Sequence, residues 1–509
     1  MPRRPRSRVA VAALLICVAL PACSGGSKQG PPTTPAPTTP AAPATTTPAA
    51  AIAWSSCSGH PGWQCGTLQV PLDYAHPGPT IGIALNRHPA TDPSHRVGSL
   101  LINPGGPGAS GISFAYDAVD GFLDPVLVRD FDIIGFDPRG VGASDPVECV
   151  DGPTLDQLNH EVPAPSDAAD IATLEAGAKE LDAGCAAHSG ALLAHVSTAD
   201  AARDMDEIRA ALGDAKLTYL GFSYGTLLGA TYASLYPTHV RALSLDGAID
   251  PALDEATISF DQAAGFERDL DDFLADCSAE GARCPFQPNG APSLRAAFDA
   301  ITARIAAHPL PGSGGRTVGP GEAFTGIIAP LYDDAEWPTL AQALADAQAG
   351  DGRLLLAEND LYLDRSSNGT YDNEEVANIA VTCLDQPPFT VAQIEAQAAA
   401  AAKVSAYFGP PLAWSELPCT YWPVPATGRP GPLRAPGAPP ILVVGSTGDP
   451  VTPYAWAQAL ARELGSGVLV TRHGDGHAAY PFSACVRAIE DAYLVSLQIP
   501  SPAAADCPS

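Results

Sequence analysis

Two rhythms of apolar and polar positions alternate along most of this chain. Aliphatic runs at 99–103, 131–136, 217–221, 240–245, 441–445 and 468–471 are short, nearly unbroken and bounded by turn residues. Runs of that length and composition predict strands buried on both faces. Between them lie stretches such as 201–212, where apolar residues recur at helical spacing and would form one buried stripe. Strands alternating with helices predict a doubly wound α/β sheet, mostly parallel. Segments 67–70 and 81–85 predict an N-terminal hairpin at its edge.

After Asp250 the strand rhythm stops for about 190 residues, far more than an ordinary connection. Phe266, Leu270, Phe273 and Leu274 share one helical face, and Leu294, Phe298, Ile301 and Ile305 share another. A Pro/Gly-rich run over 428–440 then leads back to a strand. The pattern predicts a sheet core in two parts, 52–250 and 440–509, interrupted by a mostly helical cap over 251–439.

The first fifty residues follow neither rhythm. Four arginines within 1–8 precede an apolar run at 9–20 that is too short to span a bilayer, which predicts a signal peptide over 1–22. Leu20-Pro21-Ala22-Cys23 has the form of a lipobox, although Pro21 is unusual in one. Such a leader ends either in a lipid on Cys23 or in ordinary cleavage nearby and a released product. Residues 23–51 are Gly, Ser, Pro, Thr and Ala with little bulky apolar content, the composition of an extended tether.

Net charge and cysteines narrow the function classes. A formal charge of −29 argues against nucleic acid and against adhesion to an anionic bilayer. It is compatible with substrates that carry a positive group. Of twelve cysteines, Cys17 and Cys23 lie near the leader, leaving an even set of ten for disulfides in an exported chain. Neighbours in sequence are Cys57–Cys65, Cys149–Cys185, Cys277–Cys284, Cys383–Cys419 and Cys485–Cys507, a pairing that spacing alone does not fix. There is no CxxC, and His160-Glu161 lacks a second histidine at zincin spacing, so neither metal nor cofactor is expected.

The chemistry concentrates in a few motifs. Gly221-Phe222-Ser223-Tyr224-Gly225 is the only G-x-S-x-G in the chain, with a strand before it and helical patterning after it. In that setting the serine sits on a tight strand-to-helix turn with its hydroxyl clear of the sheet. A serine hydroxyl needs a base to take its proton, and on such a sheet the acid and then the histidine follow in chain order. Asp449 follows the strand at 441–445 and His477 follows that at 468–471, so both would lie beside Ser223 at the strands' C-terminal ends. Asp475 is the alternative acid but stands too close to His477 on one loop to face its ring. His473 is the alternative base and fits better as loop support. Thr452 before Pro453 reads as the cap of the next helix, and a second role, tethering the Asp449 loop, is open to it but not required.

An oxyanion intermediate needs two N–H donors. Tyr224, after the nucleophile, supplies one, and Gly106 in Asn103-Pro104-Gly105-Gly106-Pro107-Gly108 supplies the other. In Asp137-Pro138-Arg139-Gly140, an internal Asp–Arg pair that holds loops together is the expected arrangement.

Taken together, the segments 103–108, 137–144, 221–225, 449–453 and Gly476-His477 resemble the secreted tripeptidyl aminopeptidases and related proline iminopeptidases of actinobacteria. These are α/β-hydrolases, and the likeness runs over nearly all of 57–507. Pro104 stands where proline iminopeptidases usually have histidine, which favours the tripeptidyl branch. The resemblance implies an exopeptidase that acylates Ser223 and releases short peptides from free N-termini. It also implies cap carboxylates that hold the substrate's α-amine, for which Glu336 and Asp385 are the candidates. Peptide or protein N-termini are then the expected partners, with the membrane added if Cys23 carries a lipid. Two rival readings remain: an envelope esterase or lipase with the same triad, and a surface-binding lipoprotein with a decayed site.

Overall fold

The computed structural model describes residues 51–508; the leader, Cys23 and nearly all of the tether lie outside the described residues. Twelve strands occur there: β1 (Ser55–Ser56), β2 (Gln64–Pro71), β3 (Thr80–His88), β4 (Gly98–Asn103), β5 (Phe131–Phe136), β6 (Leu217–Phe222), β7 (Val240–Asp246), β8 (Leu310–Pro311), β9 (Thr317–Val318), β10 (Ile441–Gly448), β11 (Gly467–Asp475) and β12 (Asp506–Cys507). Ten of them form one sheet in the order β1-β2-β3-β5-β4-β6-β7-β10-β11-β12. The pairings from β1 to β5 by way of β3 are antiparallel, and all others in this sheet are parallel. Strands β8 and β9 make a separate small ribbon.

The apolar runs form strands because both of their faces are covered. Leu101, Tyr219, Ile441 and Val443 point into the core on one side of the sheet. Leu100, Ile102, Leu220, Leu442 and Val444, one residue out of phase, point into the core on the other. That two-sided burial is why the sequence shows continuous apolar runs rather than alternation.

Chain order reverses at β4, whose neighbours are β5 on one side and β6 on the other. In open α/β sheets such a reversal opens a crevice at the C-terminal strand ends. Here it sets the turn after β4, residues 104–108, against the turn after β6, which carries Ser223.

Between β7 and β10 the chain is almost wholly helical and has its own apolar core. Phe266, Leu270, Phe273 and Leu274 of helix Glu255–Glu280 meet Phe298, Ile301 and Ile305 of helix Leu294–Ala307, with Leu340 and Leu344. One helix of this cap, Glu374–Asp385, instead buries Val376, Ala380 and Leu384 in the core of the sheet. It is therefore one of the elements that seat the cap on the sheet domain. The residue before it, Asn373, accepts from Gly142 N at 2.8 Å and donates to Gly140 O at 2.7 Å.

Disulfides join Cys57–Cys65, Cys149–Cys185, Cys277–Cys284, Cys383–Cys419 and Cys485–Cys507. Arg139 does not pair with Asp137. Its guanidinium is fully buried and grips Asp204 through two bonds of 2.7 Å, while Asp137 accepts from Ser110 Oγ, Ile112 N and Ala143 N. The two ends of that motif thus bind different elements, a separation invisible in a local reading. Among the described residues no helix is long and apolar enough to cross a membrane.

Candidate active site

Ser223 joins β6 to helix Tyr224–Leu235 with φ 55° and ψ −126°, a left-handed conformation that costs free energy in any residue with a side chain. Its N–H is held by Asp246 O at 2.9 Å and its C=O by Thr226 N at 2.8 Å, so the strained turn is pinned at both ends. The glycines of the motif answer to close packing. A Cβ on Gly221 would lie 2.5 Å from the Tyr219 ring and 2.6 Å from Gly225 O. The turn after β4 is pressed on the elbow as well, since a Cβ on Gly105 would lie 2.9 Å from both Ser223 Cβ and Tyr224 N.

Two N–H groups remain for a developing oxyanion. Tyr224 begins its helix, so its N–H has no intrahelical acceptor. Gly105 N donates to Asn103 Oδ1 at 3.1 Å, whereas Gly106 N has no acceptor among the described residues.

Asp449 and His477 come together from the ends of β10 and β11. His477 Nδ1 lies 3.1 Å from Asp449 Oδ1 and 3.0 Å from Oδ2. The carboxylate, 0% exposed, also accepts from Val451 N (2.9 Å), Thr452 N (2.8 Å), Thr452 Oγ1 (2.8 Å) and Ala478 N (3.1 Å). Burial alone would lower the His477 pKa. The Asp449 charge, its hydrogen bond to the ring and, further off, Asp246 outweigh that and hold it above the ordinary value.

Thr452 is not a helix cap. Helix Tyr454–Glu463 starts after Pro453 with no side-chain cap, and the Thr452 hydroxyl is spent on Asp449, 3.3 Å from His477 Nδ1. Asp475 makes no hydrogen bond to His477; its main-chain O accepts from Arg472. His473 faces outward, with Nε2 2.6 Å from Asp506 Oδ1.

The cap supports both loops. Gln262 donates to Val451 O, Arg268 to Asp449 O, and Tyr332 O accepts from His477 N at 2.7 Å. The Tyr332 ring meets the imidazole edge-on at 5.6 Å.

The two carboxylates singled out for an amine are both engaged elsewhere. Glu336 is exposed at the start of helix Trp337–Ala349 and accepts from Thr339 Oγ1 at 3.0 Å. Asp385 accepts from Thr198 N and Thr198 Oγ1, and the same hydroxyl meets Tyr224 OH. A different cap acid reaches the cleft. Glu374 Oε1 would lie 3.5 Å from a Cβ on Gly106, and Asp364 and Asp372 are its neighbours. Burial, then Asp372 and Asp364, push its pKa up to about 8. Nothing local in the sequence marks Glu374, because its place depends on how the cap helix seats against 104–108.

Comparison with known proteins agrees with this geometry. Residues 98–282 match the family model of the alpha/beta hydrolase fold and residues 404–507 that of TAP-like proteins. Over 477 residues the chain is 37% identical to serine protease Hip1 of Mycobacterium tuberculosis (strain ATCC 25618 / H37Rv), covering 90% of this chain and 91% of that one. The chain belongs to the α/β-hydrolase family. This hydrolase is also 33% identical to tripeptidyl aminopeptidase of Streptomyces lividans over 463 residues, 88% of the chain and 85% of that protein. To carboxylesterase B of Mycobacterium tuberculosis (strain ATCC 25618 / H37Rv) it is 36% identical over 428 residues, 82% of the chain and 81% of that protein. The α/β-hydrolase is accordingly a serine hydrolase, with peptidases and an esterase among its relatives.

Proposed function

We propose that this enzyme is an exported serine exopeptidase that releases short peptides, tripeptides above all, from free N-termini. Ser223 Oγ attacks the scissile carbonyl carbon while His477 Nε2 takes its proton; Asp449 holds Nδ1–H and stabilises the imidazolium. The N–H groups of Tyr224 and Gly106 receive the oxyanion. As the C–N bond breaks, His477 returns the proton to the departing amine. Water, deprotonated by the same imidazole, then hydrolyses the acyl-enzyme and frees the peptide.

The observation that carries the exopeptidase reading is Glu374 beside Gly106. A carboxylate there offsets the desolvation of a substrate ammonium, which an endopeptidase or esterase has no need to bind. Glu374 takes this role in preference to Glu336, which is exposed, and to Asp385, whose oxygens are held by Thr198. Relatives named as tripeptidyl aminopeptidases support the peptide length, and five disulfides support an oxidising compartment. A lipid on Cys23 would keep the enzyme at the membrane.

Ester hydrolysis by the same residues is the second reading, favoured by the relative named carboxylesterase B. The two separate on one measurement. N-acetylating a tripeptide substrate should lower kcat/KM by roughly 10² or more, the loss of a charge-assisted contact. Equal cleavage of free and acetylated peptides, with faster turnover of small esters, would promote the esterase.

A further inference from the structure

We infer that Asp246, outside the triad, is a positioning residue that locks the nucleophile elbow to the loop carrying His477. The inference rests on the triad reading above.

Asp246 ends β7, beside β6, and is 0% exposed. Its main-chain O accepts from Ser223 N at 2.9 Å. Its side-chain Oδ2 accepts from Ala479 N at 3.0 Å and Tyr480 N at 2.7 Å, the second and third residues after His477. One residue therefore holds the strained serine turn with its backbone and the base's loop with its side chain. The next residue floors the site: a Cβ on Gly247 would lie 3.2 Å from His477 Cε1 and 3.3 Å from Thr452 Oγ1.

The other oxygen, Asp246 Oδ1, has no hydrogen-bond donor among the described residues. Neither has Glu490 Oε2, on helix Ala484–Ser496, whose Oε1 is occupied by Ser244 Oγ at 2.5 Å. Both acids are fully buried. The ionisable groups that act on Asp246 are His477 and Asp449, while Glu490 feels Asp246 and Asp491; no lysine or arginine is among them. Two buried acids near one another, with no cation, are not both easily ionised. Burial and then the Asp246 charge push Glu490 well up, so of the two acids Glu490 keeps its proton. Burial pushes Asp246 itself up to about 6, against the two backbone bonds that favour its ionised form. At neutral pH Asp246 is thus a second negative charge behind the imidazole, and it favours the imidazolium formed when Ser223 attacks.

The test uses Asp246→Asn, which has the same shape. Its amide oxygen still accepts from Ala479 and Tyr480, so chiefly the charge is removed. Expected are a kcat lower by roughly tenfold or more, KM little changed, and the acid limb of the kcat/KM profile moved to lower pH. Asp246→Ala, which also frees the loop, should lose more. An Asp246→Asn enzyme with wild-type kcat and an unmoved pH profile would overturn the inference. Failure of the triad itself reads differently: Ser223→Ala would then stay active or still take a fluorophosphonate label.

Discussion

Asp449 and Glu374 both face the seam between sheet and cap, and the protein treats them in opposite ways. Asp449 comes from the sheet side and receives five donors: Val451 N, Thr452 N, Thr452 Oγ1, Ala478 N and His477 Nδ1. Glu374 comes from the cap, is half-buried, and has only other acids beside it, Asp372 and Asp364, the latter sharing a side-chain hydrogen bond with it. A saturated carboxylate is fixed in place and orients what it touches. The sheet side is built to hold a geometry, and the amine site proposed above lies on the cap side.

The sharpest way to break the comparison is at the sheet side. Ser223→Ala should abolish turnover with thermal stability unchanged, and His477→Ala should cost about as much, on the order of 10⁶ in kcat for a triad that acts as a unit. Asp449→Asn should cost roughly 10⁴ by admitting the wrong imidazole tautomer. Near-normal activity in that variant would return Asp475 to consideration.

The cap side should lose less and lose it selectively. Glu374→Gln should lower kcat/KM on a free tripeptide by about 10² and leave the acetylated peptide nearly untouched, while Glu336→Gln should change neither. The pH dependence follows from the signs. Glu374 is protonated below about 8 in the free enzyme, and a peptide α-amine loses its charge above roughly 8. The preference for free over acetylated peptide should therefore peak near pH 8 and shrink on both sides. A flat preference would leave Glu374 without the role.

Smaller effects refine the picture. Thr452→Val removes one of the five donors and should cost on the order of tenfold in kcat, about one hydrogen bond to a charged group. Asp269, 1% exposed on helix Glu255–Glu280, has no donor for either oxygen; Arg268 stands 3.6 Å away. Burial pushes its pKa up to about 8, against about 3.9 in the unfolded chain. The folded state thus binds the extra proton, and its contribution to stability is complete below about pH 4 and lost as pH rises through about 8. Asp269→Asn should raise Tm by a few degrees at pH 9 and not at pH 4. Melting curves at the two pH values check this.

Much of the sheet was legible in advance because its signal is local. A strand covered on both faces must be apolar throughout, so β4, β5, β6 and β7 appear in the chain as aliphatic runs with ends within two residues of the structure. The helical faces at Phe266–Leu274 and Leu294–Ile305 were legible for the same reason, since burial imposes a period. The elbow was legible because a tight strand-to-helix turn demands small residues at fixed offsets. Readings that assigned a polar side chain its partner fared worse. Thr452 looked like a helix cap and Arg139 like the mate of Asp137, yet the chosen partners are Asp449, three residues away, and Asp204, on helix Thr198–Ala211.

From the sequence alone came the periodicities, the order of serine, acid and histidine, and the glycines that strained turns require. Each is set within a few residues, by backbone sterics or by which side of an element is dry. Only the tertiary structure decided which carboxylate is saturated and which stands beside other acids. Asp246 meets the His477 loop because β7 lies between β6 and β10. Glu374 meets Gly106 because its helix buries Val376, Ala380 and Leu384 in the sheet domain. Hydrogen bonds and charges act over a few ångströms in space, whatever the distance along the chain, so their partners exist only once packing has chosen the neighbours.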